Sequence, residues 1–232
     1  MVFRKFVSSV LLLAWLLPCA ALAQVNVAAA SDLKFALPEV ATAFERRGGE
    51  KLQISFGSSG NFRRQIAEGA PFELFFSADE AYADALIAEG RAQAPGLLYG
   101  IGRIVLFLPK GSPLKADAAL KDLAAAATDG RLAKLAIANP EHAPYGRAAR
   151  EALQKAGAYA AVQDKLVLGE NVGQAARFAT SGAAQAGILP LAMMRAPEIG
   201  SQGSHVVLDE SLHDESRRLG PLRRVILQST SY

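Results

Sequence analysis

The chain has one cysteine and one tryptophan in 232 residues, and both, Cys19 and Trp15, fall within its first 23. Past that point no thiol remains to form a disulfide or act as a nucleophile, so the fold must be held by its apolar core. Histidine is scarce as well: His142, His205 and His213 are the three present, and they are not at the paired spacing of metal ligands. The first 23 residues also lack any of the 22 acidic side chains and hold only Arg4 and Lys5 of the 25 basic ones. In that stretch an apolar run around Val10 to Leu17 leads to Ala21-Leu22-Ala23, which fits an A-x-A cleavage site and predicts a signal peptide over residues 1–23. The run is short for a membrane span, which takes roughly 20 apolar residues. Pro18, directly before Cys19, speaks against a lipoprotein site.

Without those residues 23 basic side chains stand against 22 acidic ones, a formal charge of +1 in place of the full chain's +3. Bulk charge therefore gives no ground for a nucleic-acid or membrane-surface partner. The remaining length suits one large domain or two lobes of roughly 100 residues each. No Pro- or Ser-rich linker, short-period repeat or low-complexity tract divides it.

What is present is alternation. VNVAAA (Val25 to Ala30) reads as a strand, and in the following SDLKFALPEVATAFERRGG the residues Leu33, Leu37, Val40, Ala41 and Phe44 recur at helical spacing. Ser31 would cap that helix and Gly48-Gly49 would stop it. KLQISFG and NFRRQIAEGA repeat the pair, with Ser58-Ser59 at the cap position. FELFFSAD, GRIVLFLPKG, LAKLAIANP, KLVLGE, AQAGILP, HVVLDE and LRRVILQ read as further strands, and ADALIAEG, KDLAAAATDG, YGRAAREALQKAG and NVGQAARFATSGA as helices. Such a pattern predicts α/β architecture with mainly parallel sheets.

One junction recurs: a strand, a small or hydroxyl residue, then a helix start, at Ala30-Ser31, Gly57-Ser58-Ser59, Pro144-Tyr145-Gly146 and Asn171-Val172. In an open α/β sheet these junctions share the carboxyl edge of the strands, where ligands bind. Helix starts present N–H groups outside the helical ladder and the positive end of a dipole, so several aimed at one point could hold an anion without Arg or Lys. A single Ser in such a place is most often only a cap, worth about 1 kcal/mol. Ser58 fits the cap, and Ser59 the ligand contact.

The blocks VAAASDL, SFGSSGNFRRQIAEGAPFELFFSAD, ANPEHAPYGRAAREALQKAG and ENVGQAA resemble the signatures of the periplasmic molybdate-binding proteins of ABC importers, over about Val25 to Leu227. The resemblance implies a type II periplasmic-binding-protein fold of two lobes, each a mainly parallel sheet flanked by helices. Lobe 1 would hold 24–102 plus 203–232 and lobe 2 103–202, with crossings near Gly102 and Gln202-Gly203. It further implies a monomeric, non-enzymatic periplasmic protein that uses no cofactor, captures molybdate or tungstate, and delivers it to a permease in the inner membrane. Molybdenum would be bound only as its oxyanion, with no direct cation ligands. By position, Ser31 and Ser59 would offer hydroxyls, and Tyr145 and Val172 backbone N–H groups.

Two features depart from the family pattern. Many members carry a tyrosine after GI(V/L), where this chain has Pro190, which offers no donor; the Tyr145 phenol is the expected substitute. The chain also stops at QSTSY, where relatives continue into a last apolar helix of the first lobe. Other functions remain open beside this one. Sulfate is a competing tetrahedral anion, and phosphate would need a carboxylate acceptor, for which Asp32 is the candidate. A relative that senses or interacts without transport is another. A serine hydrolase using Ser58 or Ser59 with His142 is disfavoured because GSSG lacks the G-x-S-x-G spacing, and iron sites of this kind resemble one another in adjacent tyrosines, absent here.

Overall fold

The structure, a computed structural model, describes residues 24–213 and 224–227. The predicted signal peptide and the end of the chain after Leu227 lie outside those residues. β1 (Gln24–Ala30) opens the first lobe and is followed by a 3-10 turn, Ser31–Leu33, and by α1 (Ala36–Arg46). β2 (Lys51–Gly57), α2 (Ser59–Ala67), β3 (Leu74–Phe76), α3 (Glu80–Ala88) and β4 (Leu97–Leu98) complete its first pass. The chain then enters the second lobe through β5 (Ile104–Pro109), α4 (Lys121–Asp129), β6 (Leu135–Ala138), α5 (Pro144–Lys155) and α6 (Tyr159–Val162). β7 (Leu166–Gly169), α7 (Val172–Thr180), β8 (Ala186–Pro190), α8 (Leu191–Met194), α9 (Pro197–Gly200), β9 (Gly203–Val207) and a 3-10 turn at Glu210–Leu212 follow. β10 (Arg224–Leu227) is back in the first lobe.

The two sheets share one plan, with orders β2-β1-β3-β10-β4 and β7-β6-β8-β5-β9. In each, three neighbouring strands are parallel, and the strand that arrives from the other lobe, β10 or β5, is inserted antiparallel. This is the expected α/β, two-lobed, mainly parallel architecture. The strand at Gly203–Val207 is the exception to the expected division. Its register with β5, Val105 opposite Val207 through Pro109 opposite Gly203, puts it on the edge of the second sheet. Leu208 behind it is buried in the second core. Residues 203–213 therefore group with lobe 2 and not with lobe 1. Sheet membership depends on a partner nearly a hundred residues away, which the local pattern HVV does not encode.

Side chains alternate across β1, so Ala28 joins Phe62, Ile66, Phe75, Ala83 and Leu86 on one face of the first sheet, and Val27, Ala29 and Leu37 meet on the other. The second face is thinly covered. Val40 and Phe44, expected on the inner side of α1, are 60% and 48% exposed and border an apolar groove of about 420 Å³. Ser31 does not cap α1: it opens the short 3-10 turn, and the α-helix starts five residues later. The second lobe has one continuous core, including Phe107, Leu135, Ile137, Leu153, Ile188 and Leu189. Gly146 lets α5 sit hard against the end of β6, since a Cβ there would lie 2.2 Å from the Ala138 carbonyl oxygen.

His213 closes the described part of the second lobe and is buried. Its desolvation disfavours the imidazolium and holds the imidazole below its ordinary value of 6.5. The unfolded chain then binds this proton more readily than the folded one, so stability is full above about pH 6.5 and falls as pH drops through and below it. Urea unfolding between about pH 7.5 and about pH 5 should show that loss, and His213→Gln should flatten it; an equally steep loss in the variant would assign it elsewhere.

Candidate functional site

Each lobe turns the carboxyl edge of its parallel strands toward the cleft, and four junctions meet there. Ser58 is the N-cap of α2, its side chain accepting from the Asn61 N–H at 3.4 Å. Ser59 is then the first helical residue, where an N–H has no acceptor in its own helix. Its hydroxyl oxygen accepts from the Ala78 N–H at 2.9 Å, which leaves the hydroxyl proton to be donated. Ser31 donates to the Gly57 carbonyl oxygen at 3.1 Å. From the second lobe, Tyr145 lies in the first turn of α5 behind Pro144, and Val172 opens α7 behind the capping Asn171.

Ser31, Ser59, Tyr145 and Val172 all line one small cavity between the lobes, together with Asp32, Gly57, Ser58, Ala78, Pro144 and Asn171 among others. Its volume is about 10 Å³, the room of about one water-sized sphere, so the lobes are closed on each other. Among the described residues no Lys, Arg or His is in the lining. Asp32 is its carboxylate, 2% exposed, and receives the Tyr145 phenol across the cleft at 3.2 Å. That bond directs the phenolic proton to Asp32. Pro190 ends β8 and is not in the lining. Among the described residues no group of three His, Cys, Asp or Glu side chains is placed to hold a metal ion.

Further contacts tie the lobes together beside the cavity. The Gly60 N–H donates to the His142 carbonyl oxygen at 3.0 Å, and His142 Nδ1 lies 2.9 Å from Ser58 Oγ. A Cβ at Gly60 would meet that carbonyl at 2.5 Å, so glycine is what permits the approach. Arg147 on α5 pairs with Asp79 and bonds the Tyr82 hydroxyl, its guanidinium 5.2 Å from the Tyr82 ring centre. Ser58, His142 and Glu170 stand in a row, with His142 Nε2 3.4 Å from Glu170. The buried serine of that row already serves as a helix cap and the histidine's backbone holds Gly60, so the row acts as a tie between lobes.

A family model for the bacterial extracellular solute-binding proteins matches residues 25–222. The chain belongs to that family. It is 37% identical to the molybdate-binding protein ModA of Rhodobacter capsulatus, over 80% of this chain and 71% of that protein. To ModA of Azotobacter vinelandii it is 38% identical over 78% of this chain and 70% of the relative. The solved Azotobacter vinelandii periplasmic molybdate-binding protein superposes with a TM-score of 0.76 at 30% identity, covering 89% of this chain and 86% of that one. The sulfate-binding protein SubI of Mycobacterium tuberculosis shares the fold alone, with a TM-score of 0.67 at 16% identity over 90% of this chain and 77% of its own.

Within this solute-binding fold the sequence pattern named the four junctions, and the structure brings them to one point. It missed the ties. His142 was legible only as a loop residue near the second-lobe junction, and nothing local announces that its ring meets Ser58 84 residues away. The partnership of Asp32 with Tyr145 spans 113 residues and was equally hidden.

Arg147 generates a prediction. In the closed state Asp79 is almost fully buried and is compensated by the guanidinium. Removing one partner of a buried pair costs about 3–5 kcal/mol, and here on the order of 2 kcal/mol is expected because Arg147 keeps some solvent contact. Arg147→Ala should therefore populate an open form, seen as a larger radius of gyration in solution scattering without ligand. An unchanged scattering curve would show that the ion pair does not hold the lobes together.

Proposed function

We propose that the protein is an extracytoplasmic solute-binding protein that captures molybdate or tungstate as the dianion and delivers it to an ABC permease in the inner membrane. The observation that carries this reading is the convergence of Ser31, Ser59, Tyr145 and Val172, two from each lobe, on one closed cavity with no basic side chain among its described lining residues. The relatives named for molybdate binding support the choice of anion. Ser59 donates its hydroxyl proton, and Ser31 turns its own from the Gly57 carbonyl to the anion. The first-turn N–H groups of Tyr145 and Val172 complete the set from the second lobe, with the positive ends of α5 and α7 behind them. Such donors suit a fully deprotonated dianion, which has only acceptors to offer.

Capture follows hinge closure of two rigid lobes, with the cleft opening to admit the anion and the ties at His142 and Arg147 re-forming over it. Neutral donors also favour release, because opening the cleft hydrates both the donors and the anion with no counter-ion pair to separate. The protein would act as a monomer in the periplasm after removal of its signal peptide, with no catalytic step and no cofactor. One observation favours a second anion: the buried carboxylate of Asp32 in the lining could accept the proton of hydrogen phosphate.

Calorimetric titration of the purified protein with molybdate, tungstate, sulfate and phosphate separates these readings. Heat and tight binding are expected with molybdate and tungstate, and absence of heat with all four would end the oxyanion reading. Hydrogen bonds to charged groups contribute about 1.5–3 kcal/mol, so Ser59→Ala should weaken molybdate roughly 10- to 150-fold. Unchanged affinity in that variant would remove Ser59 from the ligand set.

A further inference from the structure

We infer that His142 is a positioning residue for anion capture: when its ring takes up a proton, the Ser58 hydroxyl proton is released from the ring nitrogen and turns to the anion in the cavity. The inference rests on the oxyanion reading of the site and adds to it a proton-dependent donor. Ser58 is 5% exposed and lines the same cavity as Ser59. Its oxygen accepts from the Asn61 N–H at 3.4 Å and lies 2.9 Å from His142 Nδ1 across the cleft. The amide occupies one acceptor site of that oxygen, so the state of Nδ1 decides where the single hydroxyl proton points. His142 Nε2 lies 3.4 Å from the Glu170 carboxylate, and a carboxylate on that side favours the tautomer with its proton on Nε2. Nδ1 of the neutral ring is then a lone pair, and it holds the Ser58 proton. In the imidazolium both nitrogens donate. Nδ1–H then bonds the Ser58 oxygen, and the hydroxyl proton is free to point into the cavity.

Two negative groups favour the protonated ring: Glu170 beside Nε2, and the bound dianion, which shares Ser58 with the ring. The other charged groups around the ring are engaged elsewhere or exposed. Glu141, its neighbour in the chain, bonds Arg150, and Arg147 on α5 bonds Asp79 and Tyr82. On α2, Arg63 pairs with Glu89 and Arg64 is exposed. In the cavity wall the Tyr145 phenol donates to Asp32. The balance is one solvent proton gained at His142 for each anion bound to the protonated state, while the Ser58 proton changes its acceptor and stays on its oxygen. On opening, the ring loses both Ser58 and the anion and returns its proton to solvent. Because binding favours the protonated ring, affinity is highest at low pH and falls as pH rises through the range in which imidazoles titrate, about pH 5–8.

Calorimetry of the purified protein with micromolar molybdate, in buffers of low and high ionisation enthalpy from about pH 6 to about pH 8.5, reads both affinity and proton uptake. Affinity should fall about three- to tenfold across that range, with a fraction of a proton taken up per anion toward the lower end and none toward the upper. His142→Asn, which keeps an amide near the Nδ1 position and does not titrate, should give a level pH profile without uptake. Ser58→Ala keeps the imidazole and removes the hydroxyl, and it should also lose most of the pH dependence. His205 and His213 remain in both variants, so their titration cancels in the comparison. A level profile with buffer-independent heat in the wild-type protein overturns the inference without need of any variant. A slope that persists in His142→Asn overturns it by assigning the proton to another group, and one that persists in Ser58→Ala removes the hydroxyl from the route. Absence of molybdate heat at every pH would instead defeat the oxyanion reading itself, so the two failures are distinguishable.

Discussion

The N–H groups of the first helical turn have no acceptor in their own helix, and burying them away from water demands one from elsewhere. In this protein several such turns, at Ser59, Tyr145 and Val172, are buried together at the facing carboxyl edges of two sheets. The rest of the molecule can be understood as the scaffold that makes this burial possible. Parallel strands put their helix starts on one edge, and right-handed crossovers keep them there. Two lobes of like topology then set one edge against another. Close backbone approach at Gly60 brings the edges to within hydrogen-bonding range of each other, while Gly146 seats α5 against β6 within the second lobe.

Charge is managed by keeping it at the margin. The guanidinium of Arg147 ties the lobes at Asp79 and Tyr82, outside the cavity, and the cavity itself presents hydroxyls and backbone donors. A lysine or arginine at the centre would bind an anion more strongly in the closed form, but its own desolvation would oppose closing when no anion is present. Among the described lining residues Asp32 carries the carboxyl side chain, and the Tyr145 hydroxyl donates to it across the cleft.

The lobes differ in how they are filled. The second has a continuous core under both faces of its sheet, whereas the first splits into two smaller clusters, with an apolar groove beside α1. The contacts that close the cleft join α2 and α3 of the first lobe, on its better-packed face, to α5 of the second and the loop before it. The contacts across the cleft therefore bear on the better-packed face of the first lobe.

Much of this was legible in the linear sequence, because the period of apolar residues and the chemistry of strand-to-helix junctions are local properties. The alternation pointed to the α/β class, and the hydroxyl and glycine residues at 31, 57–60 and 145–146, with the Asn171-Val172 helix start, marked the carboxyl edge of the strands. Local pattern failed where an outcome depends on a distant partner. It could not assign Gly203–Val207 to the second sheet, since an edge strand with a half-polar face fits either. Nor could it foresee that Val40 and Phe44, at good helical spacing, would face outward, or that Ser31 would open a 3-10 turn. Above all, the pairing of Asp32 with Tyr145 and of Ser58 with His142 exists only when two lobes meet. The sequence by itself determined which backbone ends would seek an acceptor; tertiary structure decided that they would line one cavity, because only the packing of two sheets edge to edge fixes distances between residues a hundred positions apart.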